Sequence, residues 1–252
     1  EIAWHQLGKI YYSQQKFKEA ISAFEFAIIS DDKFTGAYIE IAKILEKIGK
    51  INMAIENYHI ALKINDPCAF VYYRIARCFK KLKNEILVID YSKKAINVDP
   101  TFEKSWIELI NFYFEKGDHN TALIYAKKAF ESNRDSSEIT YKLAKILFKL
   151  KKYSEAAYYF ENVLDIDINQ EKTWCYLFDC LIILNRLNYA KMIIKKYLNI
   201  FSDNSKIIFR LAIIEMKLGN NRLGKKYIKS IDSSHINELL KDDLYYNYKH
   251  IV

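Results

Sequence analysis

The feature that most constrains this chain is a pattern of side-chain types that recurs every 34 residues. Its first copy is Trp4, Leu7, Gly8, Tyr11, Ala20, Phe24 and Ala27. Moving each position by 34 gives Tyr38, Ile41, Ala42, Leu45, Ala54, Tyr58 and Ala61, which match in type. The register continues without insertion to residue 238, and the seventh copy departs from it furthest. A fixed period of roughly 20–50 residues predicts stacked supersecondary units.

The spacing within each copy predicts two helices. Trp4, Leu7 and Tyr11 lie three or four residues apart, so they share one face of a first helix, and Ala20 and Phe24 do the same on a second. The small residues allow the two helices to approach closely, and the aromatic rings fill the space beside them. Each copy is therefore predicted to be a helical hairpin.

The few glycines and prolines agree with this period. Gly49, Gly117 and Gly219 all stand at the fifteenth position of their repeats, where a left-handed residue is expected to end the first helix. Pro67 and Pro100, the only prolines, stand where one repeat gives way to the next, and proline prevents a helix from continuing.

These signals predict seven repeats with definite boundaries. The repeats are residues 1–34, 35–68, 69–102, 103–136, 137–170, 171–204 and 205–238. First helices are predicted at 2–14, 35–48, 69–82, 103–116, 137–150, 171–184 and 205–218, and second helices at 17–30, 51–64, 85–98, 119–132, 153–166, 187–200 and 221–231. Ser233 or Ser234 is expected to begin an amphipathic helix that runs through Tyr248, with 239–252 completing a C-terminal cap. The N-terminal end has no comparable element, which favours either a piece cut from a longer protein or a start that is disordered or removed.

The pattern W-x2-L-G-x2-Y…A-x3-F-x2-A at this period resembles the tetratricopeptide repeat (TPR) over nearly the whole chain. The resemblance implies an all-α, right-handed superhelical α-solenoid of seven hairpins with a C-terminal capping helix. It also implies a protein–protein interaction scaffold, in which the first helices line a concave groove that holds an extended segment of a partner. Positions 2, 5, 6, 9, 12 and 13 of each repeat would face that groove.

Candidate partner-binding residues follow from those positions, where bases alternate with aromatic rings. They are Lys9, Lys43, Tyr73, Arg74, Arg77, Asn111, Phe114, Tyr141, Lys142, Lys145 and Phe148. Ionised donors and exposed rings favour a peptide or protein with acidic or aromatic side chains. At the ninth position, four bases in the first five repeats have no matching row of acids, and a solvated face with no ligand is an equally good interpretation.

The sixth position alternates in charge. Glu40, Arg74, Glu108 and Lys142 would form a ladder between neighbouring first helices. Such a ladder either ties the repeats together, at about 0.2–1 kcal/mol for each exposed pair, or forms part of a ligand site.

Some members of the family hold a chaperone's C-terminal carboxylate in a five-residue clamp of bases and amides. The window beginning at the first repeat matches only at Arg74, and Glu40 there would repel a carboxylate. Later windows keep two residues each, Asn111 with Lys172 and Lys206 with Arg210. We therefore do not expect a chaperone-tail clamp.

No catalytic or cofactor motif is present, so the chain is predicted not to be an enzyme and to need no cofactor or metal. The five histidines have no partner at metal-ligand spacing, and the four cysteines form no C-x-x-C pair. Cys68, Cys78, Cys175 and Cys180 are expected to be reduced thiols. No segment is long and apolar enough to span a membrane, and we expect a cytoplasmic protein.

The net charge of +8 comes from two repeats, 69–102 and 205–238, each with seven bases against three acids. The bases are not continuous, so nucleic acid is not the expected ligand. Two alternatives to a protein scaffold remain: an RNA-binding helical-repeat array, and a targeting module of a larger enzyme.

Overall fold

The structure is a computed structural model that describes residues 1–200, 204–232 and 235–236. Within these residues every element is helical, which confirms the predicted all-α repeat fold. The helices are α1 (Ile2–Ser13), α2 (Phe17–Ser30), α3 (Thr35–Lys47), α4 (Ile51–Ile64), α5 (Ala69–Lys81), α6 (Glu85–Val98), α7 (Glu103–Glu115), α8 (His119–Ser132), α9 (Ser137–Lys149), α10 (Tyr153–Ile166), α11 (Glu171–Ile183), α12 (Leu187–Ile200), α13 (Ser205–Lys217) and α14 (Asn221–Lys229). First helices of the repeats carry odd numbers and second helices carry even numbers.

A left-handed residue at repeat position 15 ends each first helix. Gly49, Gly117 and Gly219 have φ values of 83°, 78° and 88°, as predicted. The other four repeats use residues with a Cβ there: Gln15, Lys83, Lys151 and Asn185, with φ between 56° and 60°. In the first repeat the amide of Lys16 donates to the carbonyl of Tyr11, and the amide of Gln15 donates to that of Tyr12. This is a Schellman cap, so the turn is fixed by backbone geometry and not by glycine alone.

The chain divides into two compact units, Glu1–Lys116 and Gly117–Val252. In the first unit each helix from α1 to α7 packs against the next along the chain. In the second unit the same holds from α8 to α14, and the first helices α9, α11 and α13 also contact one another in order. Stacked hairpins of this kind bury a continuous core through contacts between neighbours.

Small residues allow the close helix packing inside each hairpin. Ala20, Ala54 and Ala156 are completely buried, as the repeat pattern predicts. A Cβ added to Gly8 would lie 2.6 Å from the ring of Phe24, so the first repeat has no room for a larger residue there. In the seventh repeat, a Cβ on Gly224 would lie 2.9 Å from the carbonyl oxygen of Ala212 on the paired helix.

The tryptophans of the repeat pattern differ in burial. Trp106 and Trp174 are 6% and 8% exposed, and each indole N–H donates to a backbone carbonyl of the preceding repeat at 2.8 Å. Trp4, expected on the packed face, is 40% exposed and stacks on Phe26 at 4.8 Å between ring centroids. The expectation was wrong for Trp4 because burial at this position depends on a preceding second helix, and α1 follows none in the described structure.

The four cysteines differ in burial, and two of them are packing residues of the core. Cys78 and Cys180 are buried, Cys175 is half-buried and Cys68 is exposed, and all four thiols are free. Burial raises the pKa of the Cys78 thiol to about 12. The predicted C-terminal helix lies outside the described residues apart from its first turn, where Ile236 is buried.

Candidate partner-binding surface

The first-helix surface is the set of side chains at positions 2, 5, 6, 9, 12 and 13 of the repeats. In the first unit, Lys9 is exposed, and the half-buried Lys43 forms an ion pair with Glu40 on the same helix at 2.7 Å. The Arg77 guanidinium lies 5.9 Å from the centre of the Tyr73 ring, which places the predicted base and ring together on one face of α5. Their use by a partner stays a prediction.

Arg74 belongs to a buried polar network. Its Nε donates to Glu46 Oε1 at 2.8 Å and to the Tyr58 hydroxyl at 3.0 Å, and Tyr58 itself donates to Glu46 at 2.7 Å. Glu46 is 5% exposed. Burial raises the pKa of Tyr58, so its hydroxyl remains a donor at any physiological pH. The network joins α3, α4 and α5, which gives Arg74 a structural role in the first unit.

The predicted ladder among position-6 side chains has different partners from those expected. Arg74 pairs with Glu46, and Glu108 pairs with Lys80 at 2.6 Å, so in these two pairs the position-6 charge meets position 12 of the preceding repeat. Glu40 instead pairs with Lys43, which lies one turn further along the same helix. The buried carboxylate of Glu46 has the greater need of a cation, because a desolvated charge is costly without a partner. These pairs tie successive first helices together.

In the second unit, four bases and two acids line a pocket of about 340 Å³ on the first-helix surface. We call it the lysine pocket. It is lined by Tyr141, Lys145, Glu171, Lys172, Cys175, Tyr176, Asp179, Lys206 and Arg210. These residues come from α9, α11 and α13. All except Glu171, at position 1, stand at repeat positions that the family resemblance assigns to the groove.

The charges of the lysine pocket do not cancel. Arg210 and Asp179 form a buried bidentate pair at 2.6 and 2.9 Å and neutralise each other. Lys206 Nζ lies 3.5 Å from Glu171 Oε1, and both side chains are exposed. Burial, followed by the neighbouring Lys142, Lys149 and Lys172, lowers the pKa of Lys145. The three lysines add to the effect of burial, because like charges disfavour the protonated form of Lys145.

Aromatic rings form one wall of the pocket. Tyr176 stacks on Phe160 with 5.4 Å between centroids and a 6° interplanar angle, and Phe148 meets Tyr176 edge-on at 5.2 Å. The ring centroid of Tyr141 lies 6.3 Å from that of Tyr176. Burial raises the pKa of the Tyr141 hydroxyl to about 12. The predicted Tyr141 and Phe148 therefore belong to a single packed cluster, whose rings are held in place before any partner arrives.

The remaining predicted residues lie near these features. Lys142 pairs with Glu138 on its own helix at 3.7 Å, and Asn111 and Phe114 are half-buried on α7. Lys172 and Lys206 were not among the predicted binding residues, although both stand at position 2 of consecutive repeats. Reading one position across neighbouring repeats would have found them, because equivalent positions on adjacent first helices lie side by side.

The described residues contain no cluster of His, Cys, Asp or Glu that could hold a metal ion. A search of the same residues for a helix able to cross a membrane finds none.

Two family models match the sequence. The model described as "Anaphase-promoting complex, cyclosome, subunit 3" matches residues 91–163 and 115–197, and that described as "Tetratricopeptide repeat" matches residues 2–28. No curated protein matches the sequence. The two models together reach both units of the chain.

Solved structures share the fold. The C-terminal part of a TPR repeat-containing protein from Cytophaga hutchinsonii is 15% identical, with a TM-score of 0.71 over 90% of this chain and 95% of that one. PilF of Pseudomonas aeruginosa is 17% identical, with a TM-score of 0.60 over 87% and 98%. YrrB, a "TPR protein with an unusual peptide-binding site", is 14% identical, with a TM-score of 0.50 over 68% and 88%.

The repeated Schellman caps, the buried alanines and the matching family models all agree with the 34-residue pattern. The chain belongs to the tetratricopeptide-repeat family.

Proposed function

We propose that this chain is a non-catalytic scaffold that binds an extended acidic segment of a partner protein along its first-helix surface, the side that the family resemblance makes concave. The lysine pocket carries the proposal. Four bases face two acids there, and one of the acids is taken up by the buried pair with Arg210. The lining therefore holds two more bases than acids, and an acidic side chain of the partner would be attracted to it.

The aromatic wall supports a peptide as the ligand. Tyr141 and Tyr176 line the pocket beside Lys145 and Lys172, so a carboxylate and an adjacent apolar group can be held together. Rings already fixed by packing lose little conformational entropy on binding, and hydrogen bonds to ionised groups are among the stronger ones. A TPR protein of the same fold, YrrB, is described as having a peptide-binding site.

The proposal is tested by capture of partners from the native cell extract with charge-reversed variants. Lys145→Glu together with Lys172→Glu should reduce recovery of the specific partner by at least tenfold, because two attractions become repulsions. The matched control is Lys127→Glu with Lys128→Glu on α8, where both side chains are exposed on a second helix. Quantitative mass spectrometry compares the three forms.

Arg77→Glu extends the test to the first unit, where this base lies over Tyr73. A loss of capture with Arg77→Glu would indicate that the first unit also contributes to the binding surface. Equal recovery by wild type and the Lys145/Lys172 variant, with loss in the Lys127/Lys128 variant, would reject the first-helix surface. Binding to single-stranded RNA that falls steeply with added salt would instead favour the RNA-binding alternative.

A further inference from the structure

The second unit has an apolar groove on the side of its second helices, away from the lysine pocket. Helices α10 and α12 form its walls and α11 its floor, and the cavity is about 560 Å³. Trp174 and Leu177 line the floor. Met192 on α12 and Ile168 in the turn after α10 are 60% and 41% exposed, so large apolar side chains face solvent there. We call this the second-helix groove.

Repeat position 23 is tyrosine in the third, fourth, fifth and seventh repeats, but the sixth repeat, whose second helix borders the groove, has isoleucine there. At repeat position 23, Tyr91 reaches from α6 to α4, where its hydroxyl lies 3.3 Å from His59 Nε2. Tyr159, at the same position, reaches from α10 to α8 and meets Phe130 at 5.3 Å between centroids. The equivalent residue on α12 is Ile193, which lines the groove and carries no ring to bridge to α10.

Two acids stand on the α10 wall, at repeat positions 25 and 29. Glu161 and Asp165 are one helical turn apart, and Glu161 accepts a hydrogen bond from the Tyr189 hydroxyl at 3.0 Å. Neither acid has an ion-pair partner among the side chains that the structure describes. Like charges at this spacing destabilise a helix by a few tenths of a kcal/mol.

This acidic pair is peculiar to the fifth repeat. In a chain of net charge +8, no other repeat carries acids at both positions. The corresponding residues on α4 are His59 and Lys63. The apolar groove and the acidic wall therefore occur together in one place, whereas beside α4 the ring of Tyr91 and the side chains of His59 and Lys63 stand at the equivalent positions.

We propose that the second-helix groove binds a segment of another protein that inserts a large apolar side chain over Trp174 and Leu177 and places a Lys or Arg within one helical turn of it. The base pairs with Glu161 and Asp165. This site goes beyond the proposed function, since it lies on second helices and selects the opposite charge. A scaffold with both sites can hold an acidic and a basic partner at once.

A random 12-residue peptide library displayed on phage and selected on the immobilised full chain tests this inference. The enriched family of peptides that binds the groove should combine an aromatic residue or Leu with a Lys or Arg no more than four residues away. A synthetic peptide from that family is then titrated by calorimetry against wild type and variants.

Two variants address the two halves of the site. Ile193→Tyr installs the ring found at the equivalent positions 91 and 159, so it should fill the groove while the helices remain folded. Glu161→Gln with Asp165→Asn removes the charge and keeps the shape, and it remains informative if Ile193→Tyr does not fold. Each should weaken binding of the peptide at least tenfold. Ile86→Tyr on α6, where Ile86 is 80% exposed, is the matched control and should leave binding unchanged.

Three results would overturn the inference: no enriched family with a base, unchanged affinity in both groove variants, or equal loss with Ile86→Tyr. Sedimentation velocity of wild type and Ile193→Tyr tests whether a second copy of the chain occupies the groove instead. A wild-type dimer that Ile193→Tyr dissociates would identify a second copy of the chain in the groove, and it would reject the partner proposed above.

Discussion

The buried network around Glu46 makes a quantitative prediction about Arg74. Replacing Arg74 by Met keeps most of the side-chain stem and removes the guanidinium, which leaves a carboxylate that is only 4% exposed without its closest cation. Breaking a fully buried pair costs about 3–5 kcal/mol. The Arg74 side chain keeps 18% exposure and Lys81 Nζ stands 3.7 Å from the same carboxylate, so we expect a loss of about 2–3 kcal/mol in the free energy of unfolding.

The assay is urea denaturation followed by circular dichroism. Arg77→Met is the matched control, because Arg77 lies on the same helix and its described contact is the face of Tyr73; we expect it to cost less than about 1 kcal/mol. Adding Glu46→Gln to Arg74→Met should restore about 1–2 kcal/mol, because the stranded charge is removed. A loss below about 0.5 kcal/mol for Arg74→Met would refute the structural role, and it would return Arg74 to the candidate binding residues.

Further predictions concern packing, the left-handed turns and the thiols. Ala54→Leu and Ala156→Leu should each cost about 1–3 kcal/mol in thermal denaturation, because both alanines are completely buried between helices; unchanged melting of both would mean that the repeat register is wrong. Lys151→Gly should stabilise the chain by about 0.5–1 kcal/mol, since φ is 59° there, and a lower melting temperature would contradict this. Cys68 should react rapidly with a thiol reagent and Cys78 only on unfolding. Because burial raises the pKa of Cys78 to about 12, its neutral form is favoured in the folded chain, so stability should fall as the pH rises above about 9.

Most of the fold could be predicted from the sequence because the repeat fixes it many times over. The bounds of the second helices from 17–30 to 187–200 were predicted to the residue, and each first helix ends one residue earlier than predicted. The turns at Gln15 and Lys83 carry no glycine signal, yet their position in the period placed them correctly. The glycines at the equivalent position of other repeats therefore predicted these turns, although the turns themselves contain no glycine.

The pairing of charges could not be predicted in the same way. The period shows which residues occupy equivalent positions, but the partner of Arg74 depends on how far adjacent helices are offset along their axes. The structure gives it Glu46, six positions further along a first helix than the expected Glu40. Likewise, the sequence shows isoleucine at position 193, but the groove beside it becomes visible only when the structure places Tyr91 and Tyr159 against the neighbouring second helices.

The most direct test of the central claim is to identify which surface a partner touches. The photo-crosslinking residue p-benzoylphenylalanine replaces Glu171, which is exposed at the lysine pocket, or Lys127, which is exposed on α8. After irradiation in cell extract, mass spectrometry identifies the crosslinked peptides. We predict that position 171 captures an acidic segment of one protein and that position 127 does not. Capture of the same protein from position 127 and not from position 171 would contradict binding at the first-helix surface.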